Sequence, residues 1–266
     1  MKEYHYPDEN DGLVIKFLAE FEKSGYYWEQ SENTIIELIK KHISTSNSGR
    51  IKRFLDAGCG NGRLIPRFEA QFEEIVALEP DLYRIANATE LVKSTDIDHK
   101  ICFYPTLAEK FTSDTKFDFI LCSHVIQHIH THSVKTLLKN LKDHLQDEGI
   151  LAITTCHSTL RQEHYLKNYI QDGKPVREEI DEKTHNQLVN NKGALPIHFF
   201  TPDALINILT EIGLETIDFK VFHIDKPDRD KMQKKDIDSF VNATPQRQNK
   251  YGIDMCMIAK KVQIVS

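Results

Sequence analysis

The sequence has no long apolar run and no excess of positive charge. None of its hydrophobic stretches approaches the ~18 residues that a membrane-spanning helix needs, and residues 1–11 are polar and acidic rather than signal-like. With 34 basic and 40 acidic residues, the formal net charge of −6 gives no general attraction to nucleic acid or to an anionic membrane. We therefore expect a cytoplasmic protein whose partner is small or neutral, not a membrane or a nucleic acid.

Cysteine is also scarce, and its spacing shows no pairs. The five residues are Cys59, Cys102, Cys122, Cys156 and Cys256. All except Cys59 lie in apolar stretches that we interpret as strands. This pattern predicts reduced thiols in the core of an intracellular protein. A catalytic cysteine is the alternative, but none of the five stands beside an obvious base.

No linker-like run divides the 266 residues, 40% of which are hydrophobic. Length and composition therefore predict one large domain with a substantial core. We divide it into a helical lid segment, residues 1–50, and a main domain, residues 51–266. In the lid segment, apolar residues recur at helical spacing from Leu13 to Phe21, and a second helix is expected to begin at Ser31 as N-cap. The apolar face of this second helix consists of Ile35, Ile36, Ile39 and Ile43.

From Ile51 onward, strand-like and helix-like segments alternate, which is typical of a parallel sheet covered by helices on both faces. After a first strand that ends at Phe54-Leu55, strands are expected at Ile75–Leu78, Ile101–Tyr104, Phe117–Cys122, Ile150–Thr155, Thr216–Ile224 and Ile253–Val262. The first crossover helix is expected to carry Ile65, Phe68 and Phe72. Two polar segments interrupt the alternation: an insertion at residues 157–197, and a charged loop at residues 225–250.

Glycine is infrequent, with 11 residues, yet three of them, Gly58, Gly60 and Gly62, fall within five positions. Residues without a side chain let the backbone adopt positive φ angles and approach a ligand closely. The helix that follows would direct free N–H groups and its positive dipole end at a carboxylate or phosphate. The loop therefore predicts a site for a nucleotide-like ligand with an acidic end.

Two neighbouring residues argue against a dinucleotide. A nicotinamide-binding loop has a third glycine or an alanine three positions after its second glycine, and here that position is Arg63. Asp56, two residues before the first glycine, would repel a pyrophosphate but suits an ammonium group. S-adenosylmethionine carries such a group.

The segment Asp56-Ala57-Gly58-Cys59-Gly60-Asn61-Gly62 resembles the first motif of the class I S-adenosylmethionine-dependent methyltransferases. The resemblance continues through Ile75–Asp81, where an acid ends the second strand, through the fourth-strand motif Phe117–Ile129, and through the turn at Leu145–Leu151. It implies an α/β fold, a Rossmann-like doubly wound sheet of seven strands that is mostly parallel, with the last strand antiparallel. It also implies S-adenosyl-L-methionine as cofactor and S-adenosyl-L-homocysteine as product.

The cofactor-binding residues follow from this resemblance and from positions at the carboxyl ends of strands. Glu79 lies about 20 residues beyond the loop, where a βαβ unit places a carboxylate on ribose hydroxyls. The family usually has an acid for the adenine amino group where this chain has Leu107, so backbone groups near Leu107 and Ala108 would hold adenine, with Glu109 as a substitute. The predicted set is Asp56, Gly58, Cys59, Gly60, Asn61, Arg63, Glu79, Pro80, Leu107, Ala108, Ser123 and His124.

Methyl transfer is a displacement in which the cofactor supplies the leaving group, so the protein mainly aligns the reactants. A base assists when the acceptor is a hydroxyl or a protonated amine, and histidine has a suitable pKa. His124 and His128 follow the fourth strand, and His198 precedes a turn near the expected cleft. These three are the candidate catalytic residues.

The histidines between His124 and His132 also invite a metal interpretation, since side chains four residues apart on a helix face the same way. Quinone-type O-methyltransferases place acidic and histidine metal ligands in a similar stretch, but here Gln127 stands where an acid would be. We therefore predict no metal site and expect these histidines to make structural hydrogen bonds.

In similar methyltransferases, the segment before the first strand folds over the active site, and an insertion after the fifth strand recognises the substrate. The resemblance therefore implies that residues 157–197 form a substrate cap and that Tyr27, Trp28 and Tyr165 contact the acceptor. The alternatives are that the aromatic residues only anchor the N-terminal helices and that the insertion is a passive surface excursion.

The leading hypothesis is methylation of an oxygen or nitrogen atom of a small-molecule acceptor. A protein or RNA methyltransferase is the second enzyme interpretation, and RNA would require a basic patch on the insertion and the charged loop. A non-catalytic S-adenosylmethionine-binding module and a nicotinamide dehydrogenase are further alternatives. Neither the acceptor nor the oligomeric state follows from these patterns.

Overall fold

The computed structural model describes residues 25–43, 52–160, 162–191, 193–224 and 252–262. Helices and strands are numbered in chain order within these residues. The helices are α1 (Gly25–Ile43), α2 (Ile65–Phe68), α3 (Leu82–Ser94), α4 (Thr131–His144), α5 (Glu182–Leu188) and α6 (Pro202–Glu211). The strands are β1 (Arg53–Ala57), β2 (Glu74–Leu78), β3 (Ile101–Tyr104), β4 (Phe117–Ser123), β5 (Leu145–Cys156), β6 (His164–Gln171), β7 (Lys174–Ile180), β8 (Ala194–Phe199), β9 (Leu214–Ile224) and β10 (Gly252–Lys261). Within the described ranges, no helix has the length and hydropathy that crossing a membrane requires.

Seven strands form one sheet in the order β3-β2-β1-β4-β5-β10-β9. Neighbouring strands pair in parallel except for β10, which runs antiparallel to both β5 and β9. This arrangement confirms the predicted Rossmann-like sheet with an antiparallel last strand. The strand order reverses between β1 and β4, and open α/β sheets bind ligands at such a point, beyond the carboxyl ends of the strands.

The predicted strands are present, and the largest difference lies in β5. We predicted a turn at Leu145–Leu151, but these residues, including Asp147-Glu148-Gly149, lie inside β5. The pairing of β4 with β5 shifts register between Phe117 and Phe119. The turn-forming residues are therefore accommodated as an irregularity within the sheet.

Helices cover both faces of the sheet and produce two apolar layers. On one face, α4 and α6 contribute leucines with no exposed surface, namely Leu137, Leu138, Leu141, Leu205 and Leu209. On the other face, Phe54 of β1 stacks on Phe119 of β4 with 4.9 Å between ring centroids, and Phe68 and Phe72 pack around this pair. Because burial of apolar surface is the main favourable term in folding, these layers fix the strand ends that carry the site.

Helix α1 packs on the second layer and begins earlier than predicted. Ser31 lies in its second turn, where the Ser31 hydroxyl accepts the backbone N–H of His223 at 2.9 Å. The predicted N-cap at Ser31 is therefore wrong, whereas the four isoleucines of the apolar face are buried as predicted. The helix predicted between Leu13 and Phe21 and the side chains of Tyr27 and Trp28 lie outside the described residues.

The helix after the glycine loop is shorter than predicted. It consists of one α-helical turn, α2, followed by a 3-10 turn at Glu69–Gln71, and it ends before Phe72. Pro66 is tolerated because it stands in the first turn, where no helical hydrogen bond is lost. A helix of one turn aligns few peptide dipoles, so it contributes less attraction for an anion than we predicted.

The insertion folds as a small sheet of its own. Strands β6, β7 and β8 pair antiparallel in the order β7-β6-β8. Asp172 and Gly173 join β6 to β7 with φ angles of +50° and +74°, which is the two-residue turn that suits a hairpin. The sheet continues to Phe199, so the predicted end at residue 197 was too early. The charged loop at residues 225–250 lies outside the described residues.

The five cysteines are free thiols. Cys122 and Cys256 are buried, as predicted for core residues, and Cys59 and Cys156 are half-buried. Cys102 is exposed, so its placement in the core was wrong. The physical reason is that β3 is an edge strand whose side chains alternate between half-buried and exposed.

Candidate active site

A cavity of about 380 Å³ opens at the carboxyl ends of β1, β2 and β4. All twelve predicted cofactor-binding residues line it, and His128 lines it as well. The lining also includes residues that the sequence analysis did not select, namely Leu64, Arg84, Thr106, Val125 and Ile129. The strand order therefore brings four separate segments of the chain to one cleft, within residues 56–64, 79–84, 106–109 and 123–129.

The glycine loop is held against β2 and against the segment after β4. The N–H groups of Gly58 and Cys59 both donate to Leu78 O at 2.9 Å. Gly58 has a φ angle of +93°, and a Cβ atom at this position would lie 2.4 Å from Val125 Cγ2. Both the backbone angle and the close approach therefore require glycine at position 58.

Asp56 ends β1 at the bottom of the cavity and is only 2% exposed. Its Oδ2 atom has no hydrogen-bond partner among the described residues. Burial raises the pKa of Asp56 to about 7, and the negative charge of Glu79 adds to this effect. Burial of a carboxylate oxygen without a hydrogen-bond donor costs free energy. An ammonium group in the cavity would supply the donor and remove that cost. The residue therefore fits the amino-acid end of S-adenosylmethionine.

Glu79 follows β2 and is fixed by backbone donors. Its Oε2 atom accepts the N–H of Gly60 and its Oε1 atom accepts the N–H of Asp81, each at 3.0 Å. Burial raises the pKa of Glu79, while the nearby charge of Arg84 acts in the opposite direction. Arg84 Nη1 lies 3.7 Å from Glu79 Oε2. Because each carboxylate oxygen can accept a second hydrogen bond, Glu79 retains capacity for two ribose hydroxyls.

The region predicted to hold adenine forms a short ordered turn. Leu107 is extended and precedes a 3-10 turn at Ala108–Lys110. The side-chain amide of Asn140 donates to Ala108 O at 2.7 Å and to Phe111 O at 3.0 Å, which fixes this turn against α4. Both Leu107 and Glu109 line the cavity, so the apolar surface and the substitute acid are both present where adenine is expected.

Arg63, another predicted cofactor residue, contacts α1 and also lines the cavity. Its guanidinium donates to both carboxylate oxygens of Glu32 on α1, at 2.5 and 2.8 Å. The loop and the helix that precedes the sheet are therefore joined by a bidentate ion pair.

His124 stands just after β4 with a φ angle of +54°, and its N–H donates to Thr154 O at 2.8 Å. Gln127 is 2% exposed, and both ends of its amide are hydrogen-bonded. Its Nε2 atom lies 2.9 Å from His124 Nδ1. Its Oε1 atom accepts from the Thr155 hydroxyl at 2.9 Å. Gln127 thus orients the His124 ring, a role that the sequence analysis did not assign.

His128 ends a 3-10 turn at Ile126–His128, not an α-helix, so the helical spacing assumed for these histidines was wrong. Its Nδ1 atom lies 2.8 Å from Pro196 O. Because a carbonyl only accepts, Nδ1 carries the proton and donates. Burial lowers the pKa of His128 to about 4, so the ring is neutral at physiological pH.

The remaining predicted catalytic residue, His198, and the predicted substrate residue Tyr165 do not line the cavity. They stack on each other in the insertion with 4.5 Å between ring centroids, and His198 lies 3.7 Å from Phe200 by the same measure. His198 Nε2 is 2.9 Å from Glu163 Oε1. The insertion instead contacts the cavity lining through Pro196, whose carbonyl oxygen accepts from His128.

Two residues of the stretch where quinone-type O-methyltransferases place metal ligands are engaged in other contacts here. Both amide atoms of Gln127 bond to side chains, and His128 Nδ1 bonds to the backbone. A different cluster has metal-like spacing among the described residues: a ligand atom from each of His124, Cys156 and Asp254 lies within 4.8 Å of the others. The last two residues come from β5 and β10, more than 90 positions apart in the chain.

Known proteins resemble this chain over most of its length. It is 26% identical to the ubiquinone biosynthesis O-methyltransferase of Rickettsia typhi over 219 residues, which cover 77% of this chain and 81% of that protein. The enzyme of the same name from Rickettsia canadensis is 25% identical over 219 residues, with coverage of 77% and 85%.

Solved structures share the fold. The 1,6-didemethyltoxoflavin-N1-methyltransferase of Burkholderia thailandensis, bound to its substrate and S-adenosylhomocysteine, aligns with a TM-score of 0.59 at 16% identity and covers 97% of this chain and 92% of that one. A glycopeptide N-methyltransferase bound to S-adenosylmethionine aligns with a TM-score of 0.57 at 14% identity, covering 86% and 87%. Residues 14–218 match the methyltransferase domain family. The chain therefore belongs to this family and is an S-adenosylmethionine-dependent methyltransferase.

Proposed function

We propose that this enzyme methylates a hydroxyl oxygen of a small molecule, with His128 as the base. The observation that carries the proposal is the position of His128, which lines the cofactor cavity and donates from Nδ1 to Pro196 O at 2.8 Å. That hydrogen bond makes Nε2 the basic nitrogen of the ring. The two relatives named as O-methyltransferases support oxygen as the acceptor atom.

The cofactor would be held by the residues that already surround the cavity. Asp56 would accept the ammonium group, Glu79 the ribose hydroxyls, and the turn at Leu107 would contact adenine. When bound, S-adenosylmethionine supplies a methyl group on a positively charged sulfur atom and a thioether leaving group. The chain's own task is to align the acceptor with that methyl group and to exclude water.

His128 suits this task because its ring is neutral and oriented before the acceptor arrives. With a hydroxyl acceptor in the cavity, Nε2 of His128 would take the proton that the oxygen loses when it is methylated. His124 lines the same cavity and is oriented by Gln127, so it would position the acceptor. His198 and Tyr165, which lie outside the cavity, would support the cap rather than touch the reacting atoms.

The charge of the cap favours a small acceptor over RNA. Residues 157–199 contain six acidic side chains and six lysine or arginine side chains, so positive charge is not in excess. Binding to a phosphate backbone depends on neutralisation by clustered lysine and arginine. The described part of the insertion therefore lacks the basic excess that an RNA substrate would require.

The test compares matched acceptors and matched histidine variants. Purified enzyme with labelled S-adenosylmethionine would be offered simple phenols and catechols and the corresponding anilines. We expect label on the hydroxyl compounds, a loss of kcat of about 10²–10⁴-fold in His128→Ala, and unchanged S-adenosylhomocysteine affinity in that variant. His132→Ala, which alters an exposed histidine of α4, is the control. Methylation of anilines alone, or full activity in His128→Ala, would overturn the proposal.

A further inference from the structure

Four polar side chains meet at one edge of the sheet, beside the cofactor cavity. His124 follows β4, Cys156 ends β5, His223 is near the end of β9 and Asp254 is near the start of β10. Because β10 is antiparallel, its first residues lie at the same edge as the carboxyl ends of its neighbours. His223 Nδ1 is 2.8 Å from Asp254 Oδ2, and Asp254 is 6% exposed.

We propose that His124, Cys156 and Asp254 bind a zinc ion. Their ligand atoms lie within 4.8 Å of one another. Imidazole nitrogen, thiolate sulfur and carboxylate oxygen are the ligands that Zn²⁺ prefers, at about 2.0–2.3 Å, so ligands around a tetrahedral ion stand about 3.3–3.6 Å apart.

The neighbours of these three residues form a suitable outer layer. Ligating carboxylates and histidines are normally held by further hydrogen bonds. Asp254 is bonded to His223, and His124 Nδ1 is engaged by Gln127, which leaves Nε2 for the ion. With Nε2 on the ion, His124 carries its proton on Nδ1 and needs an acceptor. The opposite orientation of the Gln127 amide provides one, because its oxygen then faces Nδ1. Its NH₂ group then donates to the Thr155 hydroxyl, which can either donate or accept.

The charges of the cluster also match a divalent ion. A zinc ion deprotonates a coordinating thiol outright, and its two positive charges would then balance one thiolate and one carboxylate.

Three protein ligands leave one tetrahedral position open, as in catalytic zinc sites. Since His124 also lines the cofactor cavity, this position would receive the acceptor oxygen. That role in the reaction depends on the proposed function, whereas binding of the ion does not. The two are therefore tested separately.

The first experiment uses the unaltered chain and Co²⁺ as a spectroscopic substitute for Zn²⁺. We expect one equivalent of Co²⁺ to give the intense near-ultraviolet band of a thiolate ligand, and one equivalent of Zn²⁺ to remove it. The double variant Cys59→Ser/Cys102→Ser should keep the band, because it removes the half-buried and exposed thiols outside the cluster. Absence of the band in the unaltered chain would overturn the proposal and leave only a hydrogen-bonded cluster.

The second experiment changes the ligands. Cys156→Ser and Asp254→Asn should each weaken Zn²⁺ binding at least tenfold in competition with a chromophoric chelator, while retained binding of S-adenosylhomocysteine shows that the variants fold. A band that disappears in Cys59→Ser/Cys102→Ser but persists in Cys156→Ser would place the ion elsewhere and overturn the assignment. Methylation assays are not needed for any of these readouts, so failure of the proposed function and failure of the zinc site give different results.

Discussion

Glu32 and Arg63 join the helix before the sheet to the glycine loop. Both carboxylate oxygens of Glu32 accept from the guanidinium of Arg63, at 2.5 and 2.8 Å. Burial opposes the charge of Glu32, but the hydrogen bond and charge of Arg63 outweigh it and lower the pKa of Glu32. Glu32 is therefore ionised at neutral pH, and α1 is held over the residues that line the cavity.

Glu32→Ala should weaken S-adenosylhomocysteine binding several-fold while changing stability by less than about 1 kcal/mol. The stability effect is small because the Arg63 side chain is largely exposed and exposed ion pairs contribute little. The affinity falls because Arg63 loses the contact that orients it at the cavity. Calorimetric titration and urea unfolding would measure the two effects. Glu211→Ala breaks the exposed pair with Lys135 outside the cavity, and equal affinities in both variants would contradict this role for Glu32.

The cofactor cleft could be predicted because its residues lie in short continuous motifs. Residues 56–63 are consecutive, and Glu79 directly follows the next strand, so the family resemblance and the strand positions together place them at one sheet edge. The sequence did not lead us to Arg84, which lies in the first turn of α3. Its guanidinium contacts the glycine loop, because a Cβ atom built on Gly60 would lie 2.7 Å from Arg84 Nη2. The first turn of a helix after such a strand faces the same cleft, and that was the available signal.

The cluster around Asp254 could not be predicted from spacing. Asp254 meets Cys156 and His223 only because β10 inserts between β5 and β9. Hydrophobic patterns predict that strands exist, but they do not fix which strands pair. The strands of the insertion were not predicted, for a different reason: Asp172-Gly173 is a strong hairpin signal, but the polar composition around it was interpreted only as an interruption of the alternation of strands and helices.

Gly58→Ala should destabilise the protein and abolish cofactor binding. Two costs combine: an alanine at φ +93° is strained, and its Cβ atom would stand 2.4 Å from Val125 Cγ2. Gly193→Ala separates these costs, because Gly193 has φ +84° but no heavy atom within 4 Å of the added Cβ atom. We expect both variants to lose about 1–3 kcal/mol from backbone strain, and Gly58→Ala to lose a further 1–3 kcal/mol, roughly, from overpacking.

Chemical denaturation of both glycine variants would measure the difference, and Gly58→Ala/Val125→Ala would test its cause. Removal of the Val125 methyl groups should restore the stability that is lost to overpacking, but not the stability that is lost to backbone strain. Equal stability losses in Gly58→Ala and Gly193→Ala would show that the loop moves away from Val125 without cost.

Asp56 should make the ligand-free enzyme less stable as the pH rises. Its pKa is raised from 3.8 to about 7, so the folded protein holds this proton more tightly than the unfolded chain. The contribution is present at acidic pH and is lost between about pH 4 and about pH 7. The loss is on the order of a few kcal/mol, because each tenfold difference in proton affinity corresponds to about 1.4 kcal/mol.

At pH values above 7, Asp56→Asn should therefore raise the Tm of the ligand-free protein relative to the unaltered chain. The same variant should lose the stabilisation that S-adenosylhomocysteine gives. The amide needs no proton and cannot pair with the ammonium group. Thermal melts of both proteins over this pH range, with and without ligand, would measure both effects. A variant that keeps the ligand-induced shift would exclude Asp56 from cofactor binding.

His128 should produce the opposite dependence on pH. Burial lowers its pKa from 6.5 to about 4, so below about pH 6.5 the unfolded chain takes up a proton that the folded protein does not. Stability is therefore lost as the pH falls towards about 4, by an amount on the order of 3 kcal/mol. His128→Gln should abolish this loss, whereas His132→Gln should retain it because His132 is exposed. Urea unfolding at a series of acidic pH values would compare the two. If both variants keep the same acid sensitivity, burial does not lower the pKa of His128, and the buried, hydrogen-bonded position on which its proposed role depends is contradicted.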